Sequence, residues 1–140
     1  VSNDRPKKVI LESPYAGDVE RNVEYARRAC RDSLLRGEAP LVSHLLYTQP
    51  GILDDKDKKE RELGIKAGLE WGEYCKNSVF YADYGFTAGM LQGFEDAQAK
   101  GRFIEIRLIG LNPKPSVTVQ VTVIDPVELD RADFKRGPRG

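Results

Sequence analysis

The sequence predicts one α/β domain of three layers, with helices on both faces of a mostly parallel sheet. Two observations carry that prediction. Short apolar runs rich in Val, Ile, Leu and Phe alternate with segments whose apolar residues recur at helical spacing. Such alternation implies right-handed crossovers and a parallel sheet covered on both sides. The chain has 140 residues, enough to bury roughly two-thirds of its unfolded surface in one core.

Lys8 to Glu12 (KVILE) reads as the first strand, ended by Ser13-Pro14-Tyr15-Ala16-Gly17, where proline stops the ladder and glycine permits a sharp turn. Val19, Val23, Ala26, Cys30 and Leu34 then fall on one helical face, with Asp18 as N-cap and Gly37 as the stop. Pro40 to Leu46 (PLVSHLL) reads as a second strand ending near His44. Asp54 and Asp55 are placed to cap a long charged segment that becomes helical over Leu63 to Cys75. Gly64, Gly68 and Gly72 form a stripe on it. Each costs about 1 kcal/mol relative to alanine in a helix, so a close neighbour is expected there, either the sheet or a second subunit.

Ser78 to Asp83 (SVFYAD) reads as strand three, and the helix after it turns Phe86, Met90, Gly93, Phe94 and Ala97 inward before stopping at Gly101. Phe103 to Ile109 (FIEIRLI) reads as strand four. The expected strand order is 2-1-3-4, which is flavodoxin- or Rossmann-like. Ser116 to Asp125 (SVTVQVTVID) alternates apolar and polar residues, as a strand with one wet face does at a sheet edge or across a subunit interface. The expected domain covers residues 1–126, and 127–140 is read as a polar, mobile tail.

The 22 Lys and Arg balance the 22 Asp and Glu, so no long-range field favours a nucleic-acid polymer. No apolar run approaches the roughly 18 residues of a membrane span, and Val1 to Lys8 lacks the apolar core of a signal peptide. Cys30 and Cys75 each sit in a helical stretch, which suits buried free thiols in a reducing cytoplasm. No metal site is expected, since His44 is the only histidine and no cysteine partners it; no cofactor is expected.

In open parallel sheets, ligands bind beyond the C-terminal ends of the strands. Three segments are expected to converge there. Ser13, Tyr15 and Gly17 offer a hydroxyl, an aromatic face and a tight turn, without the GxGxxG or P-loop fingerprint; the competing reading is a structural turn. His44 and Tyr47 lie in the second segment, where a lone histidine is more often a hydrogen-bonded structural residue than a catalyst. Asp83, Gly85 and Thr87 form the third: the acid suits sugar hydroxyls, and Thr87 with the helix amides suits a phosphate. The competing reading there is a capped helix. If Asp83 contacts ligand, Asp83→Ala is expected to abolish binding with little loss of stability.

The order of these pieces resembles the nucleoside 2-deoxyribosyltransferase superfamily, with its nucleotide N-glycosidase relatives, over roughly Lys8 to Ile109. SHLLYTQPGILDD, ELGIKAGLEWG and DYGFTAGMLQGFEDA resemble a branch of that superfamily common in bacteriophage genomes. In the enzymes of the superfamily, a helix glutamate attacks the sugar's anomeric carbon and displaces the base. Matching Gly89-Met90 and Gly93-Phe94 to that helix places Leu91 where the glutamate stands, with Gln92 beside it. Glu95 and Asp96 lie about one turn further on, roughly 5 Å from the expected attack point.

The resemblance implies a small-molecule nucleotide or nucleoside as ligand and a homo-oligomer as the assembly. Its location would be cytoplasmic, in the host if phage-encoded. With Leu91 at the nucleophile position, the favoured reading is a nucleotide-binding protein that captures a nucleotide or nucleotide-derived signal, with Tyr15 stacking on a base. The alternatives are an N-glycosidase or phosphate-transfer enzyme using Asp83, His44 or Asp55 as a base toward water, a deoxyribosyltransferase cleaving the base-sugar bond, and a protein-interaction scaffold.

Overall fold

The computed structural model describes residues 5–110 and 120–124. Among these residues five strands form one sheet in the order β2-β1-β3-β4-β5. These are β1 (Lys7–Glu12), β2 (Glu38–Leu41), β3 (Asn77–Tyr81), β4 (Phe103–Leu108) and β5 (Gln120–Ile124). The first four are parallel, in the expected 2-1-3-4 order, and β5 runs antiparallel along β4 at the edge. The rest of the sequence-predicted edge strand, and the tail expected at 127–140, lie outside the described residues.

Side-chain parity along the strands divides the core into two halves. Val9, Leu11, Val79 and Tyr81 pack with Tyr25 and Ala29 of α1 (Val19–Leu35). Phe80 and Ile104 face the opposite way and pack with Met90 and Ala97 of α4 (Ala88–Ala99), where Phe86 and Phe94 complete an aromatic cluster. Glu12 shares its parity with Ile10, and Ile10 meets α3 (Lys58–Gly72) at Gly72. The acid at the end of β1 therefore points to the α3 and α4 side.

The α1 face holds a buried charge network. Arg107, 2% exposed, donates to both Glu38 oxygens, at 2.7 and 2.6 Å, and to the Tyr81 hydroxyl at 2.9 Å. Tyr81 in turn donates to Asp32 at 2.7 Å, and Ser33 donates to Glu38 at 2.8 Å. Burial pushes the Glu38 carboxyl up, but bonds from Arg107 and Ser33 outweigh it and hold the group below its ordinary value. Isolating one partner of such a pair leaves a buried charge, so the network ties α1 and β2 to β3 and β4.

Two assignments differ most from the sequence expectation. The second strand ends at Leu41, and Ser43–Leu46 forms a short helix, α2, that carries His44. Short apolar runs do not distinguish strand from helix by periodicity. Here Thr48 and Gln49 donate side-chain bonds to the carbonyls of His44 and Leu45, at 2.6 and 2.9 Å, and close the helical turn. On α3 the N-cap is Asp57, not Asp54 or Asp55; its carboxylate accepts from Lys59 and Glu60 amides at 2.9 and 3.2 Å. Asp54 instead accepts from the Lys56 amide at 3.0 Å, and Asp55 lies 3.9 Å from Arg61.

The glycine stripe on α3 finds its neighbours inside the chain. A Cβ at Gly68 would stand 2.7 Å from Ser43 Oγ, one at Gly64 3.2 Å from Leu53, and one at Gly72 2.9 Å from Ile10. The stripe lets α2 and the sheet approach α3 closely.

Candidate functional site

Chain direction reverses between β1 and β3: β1 leads left to β2 through α1, while β3 leads right to β4 through α4. Loops part at such a switch point and leave a crevice beyond the strand ends. A cavity of about 480 Å³ opens there, between the end of β1, α2, α3 and the start of α4. A smaller one of about 80 Å³ adjoins it and shares Ser43, His44, Asp55 and Arg61.

The larger cavity gathers Ser13, Tyr15, His44 and Thr87 from the expected ligand-binding residues, and Asp55 from the expected bases. Tyr47 lines the smaller one. Gly17, Asp83 and Gly85 line neither. Gly17 and Gly85 have φ of 99° and 81°, a conformation that L side chains rarely adopt, so they shape the turns around the site.

Ser13 and His44 form a pair. The Ser13 hydroxyl and His44 Nε2 lie 2.6 Å apart in a hydrogen bond. Burial drives the imidazole pKa down from 6.5 to about 4, so His44 is neutral at physiological pH. It is a poor general base there, and its bond to Ser13 joins α2 to the end of β1. Thr87 caps α4, its hydroxyl accepting from the Met90 amide at 3.2 Å. The start of α4 lines the cavity through Thr87, Ala88 and Gly89, and helix starts offer unpaired amides of the kind that suit an anion.

Asp83 does a different job from the one expected of a strand-end acid facing a crevice. Oδ1 accepts from the Tyr25 hydroxyl at 2.5 Å and the Ile109 amide at 3.0 Å, and Oδ2 accepts from the Gly110 amide at 2.7 Å. The Tyr25 hydroxyl also accepts from the Asp83 amide at 2.9 Å. Burial and the Asp83 bond raise the Tyr25 pKa, keeping the phenol protonated as a donor. These bonds pin α1 to the ends of β3 and β4.

Three acids line the cavity, Glu12, Asp55 and Asp96, and of these Glu12 is the one at a strand end. No hydrogen bond to its carboxyl is formed by any described residue. Burial raises its pKa from 4.5 to about 7, against the pull of Arg102 and with a further push from Asp96. The carboxyl occupies the space that Gly93 leaves on α4: a Cβ there would stand 1.5 Å from Glu12 Oε2. Arg102, 3% exposed, is committed elsewhere, donating to Asp96 at 2.9 Å and to the Gly72 carbonyl at 3.3 Å.

Sequence reasoning missed Glu12, Arg61, Arg102 and Gly93 as cavity residues. The signal for Glu12 was present, since it ends an apolar strand just as Asp83 does. Leu91, at the position matched to the superfamily's glutamate, is 52% exposed and does not line the cavity; Gln92 does. Among the described residues, no group of three or more His, Cys, Asp or Glu side chains is placed to hold a metal ion. Nor is any described helix long and apolar enough to cross a membrane.

Fold and crevice together define an α/β protein of the switch-point class, with a cavity of mixed apolar and polar lining beyond the strand ends. The chain belongs to the family described as a domain of unknown function (DUF7768), whose sequence model matches residues 7–107. It is similar in structure to a 2-deoxyribosyltransferase from Bacillus psychrosaccharolyticus, with a TM-score of 0.52 and 16% identity over 79% of this chain and 76% of that one. At that identity the likeness establishes a shared fold. No curated protein matches the sequence.

Proposed function

We propose that this chain binds a nucleotide or nucleotide-derived small molecule in the switch-point cavity. The observation that carries the reading is the make-up of that cavity: apolar Ile65, Leu69 and Met90 and the ring of Tyr15 beside Arg61, Thr87 and the α4 start. Apolar walls suit a base, and a cation beside a helix start suits a phosphate. The fold shared with a 2-deoxyribosyltransferase agrees with a nucleoside-type ligand. The lack of a carboxylate at both Leu91 and Gln92, of which Gln92 lines the cavity, together with the resemblance to a phage branch, favours capture over glycosyl transfer.

A second reading rests on Glu12. A carboxyl near pH 7 inside a cavity is the type of group that exchanges protons with a leaving base or an attacking water. This N-glycosidase would use Glu12 and Asp55, both of which line the cavity, in place of Asp83. The test mixes the protein with nucleoside monophosphates, NAD-derived signals and cyclic dinucleotides, then chromatographs the solution and the material released by denaturation. One compound depleted stoichiometrically and recovered intact supports binding. Release of free base with turnover supports the glycosidase instead.

The same reading includes a homo-oligomer of the single domain. The outer side of α3 and the chain after it leave Leu63, Trp71 and Tyr74 exposed by 59, 60 and 71%. Light scattering at micromolar concentration is expected to show more than one chain; a monomer would contradict this.

A further inference from the structure

The end of the cavity bounded by Glu12, Gly93 and Asp96 is rich in hydrogen-bond acceptors. Two carboxylates meet there with a single guanidinium, and Arg102 already donates to Asp96 and to the Gly72 carbonyl. Glu12 keeps both carboxyl oxygens without a donor from the described protein, at a site where burial makes an unpaired charge costly. A ligand edge with adjacent donors is the complement of that end.

Distances along α4 set the direction in which a nucleotide would lie. Thr87 at the helix start and Gly93 opposite Glu12 are six residues apart, roughly 9 Å of helix. That span is comparable to a nucleotide measured from phosphate to outer base edge. Arg61, only loosely paired with Asp55 at 3.9 Å, and the α4 amides attract the phosphate, while Glu12 and Asp96 repel it.

We infer that Glu12 is a specificity-determining residue that selects a ligand presenting two adjacent N–H donors, of which the N1–H and 2-amino edge of guanine is the nucleotide instance. The inference rests on the nucleotide-binding reading of the cavity and names its ligand class. The ionised carboxylate accepts both donors side by side, giving two charge-assisted bonds. A protonated carboxyl, or an amide in its place, presents one donor and one acceptor and cannot accept both.

Affinity for such a ligand therefore rises with pH as Glu12 ionises. The other charged or titratable groups around it are Asp96 of α4, Arg102 after α4, Asp55 and Arg61 at α3, Tyr15 after β1 and His44 of α2. His44 remains neutral well above about pH 4, so it adds no step in the range where Glu12 changes charge.

The experiment is calorimetric titration of the full chain with GMP and IMP, which differ only in the 2-amino group, at about pH 6 and about pH 8. The wild type is expected to bind GMP about tenfold or more tighter than IMP at the higher pH, with the preference shrinking at the lower. Glu12→Gln is expected to bind both alike at either pH, and Glu12→Leu likewise, with circular dichroism verifying the fold of each. Equal binding of GMP and IMP by the wild type, or a GMP preference that survives in Glu12→Leu, would overturn the role of Glu12 and leave the binding reading standing. If the wider panel of compounds finds no ligand, the binding reading itself fails and takes this inference with it.

Discussion

Asp83 and Glu12 each end an apolar parallel strand, yet the fold uses them in opposite ways. Asp83 is surrounded by donors from three directions, α1 and the backbone at two positions after β4. Glu12 receives none from the described protein and stands in the cavity with a raised pKa. Strand-end position brings an acid to the functional edge of such a sheet. The groups that surround it there decide whether it becomes architecture or remains available to a ligand.

The comparison breaks most visibly at Asp83. Asp83→Ala removes an acceptor shared by two backbone amides and a phenol, and is expected to lower stability by about 3 kcal/mol in urea unfolding. Affinity of the folded fraction should change little. A variant as stable as the wild type that no longer binds ligand would return Asp83 to the cavity and reverse the assignment.

At Glu12 the effect is smaller and depends on pH. Its folded pKa lies above the unfolded value, so its stabilising contribution is complete below about pH 4.5 and is lost as pH rises through about 7. Glu12→Gln cannot ionise and is expected to gain roughly 2 kcal/mol over the wild type at about pH 8, with the gain vanishing in acid. His44 has the opposite slope: its pKa is depressed to about 4, so its contribution is present above 6.5 and lost as pH falls. The wild-type profile therefore flattens between these limits, and Glu12→Gln should expose the acid-side fall due to His44. Melting curves across pH with parallel slopes for the two proteins would contradict the buried placement of Glu12.

The smallest expected effect on stability comes at Gly93. The Cβ of Gly93→Ala meets the far end of the Glu12 side chain, which can rotate away, so stability should change by less than about 1 kcal/mol. The displaced carboxyl should then lose its hold on ligand. Undiminished affinity in Gly93→Ala would show that the carboxyl does not act from this position.

Much of the fold was legible in the sequence because its signals are local. KVILE, SVFYAD and FIEIRLI announce strands by composition, and their alternation with helices predicts the parallel pairing of β1 to β4. SHLL was misread because four apolar-rich residues satisfy either period, and bonds from Thr48 and Gln49 settle the matter. The site was legible only in part. Ser13, Tyr15, His44 and Thr87 reach the larger cavity because strand ends and helix starts bring them there. That Asp83 is tied down by donors was hidden, because it depends on the Tyr25 hydroxyl and on amides at Ile109 and Gly110, the amides lying 26 and 27 residues away and the hydroxyl 58.

The most direct test is to follow the Glu12 carboxyl carbon by NMR through a pH titration, with and without the compound the panel selects. A midpoint near 7 in the free protein, moving down when ligand binds, is the predicted result. A midpoint at the ordinary value of 4.5, unmoved by ligand, would contradict the claim that this carboxyl is the one the fold leaves open for recognition.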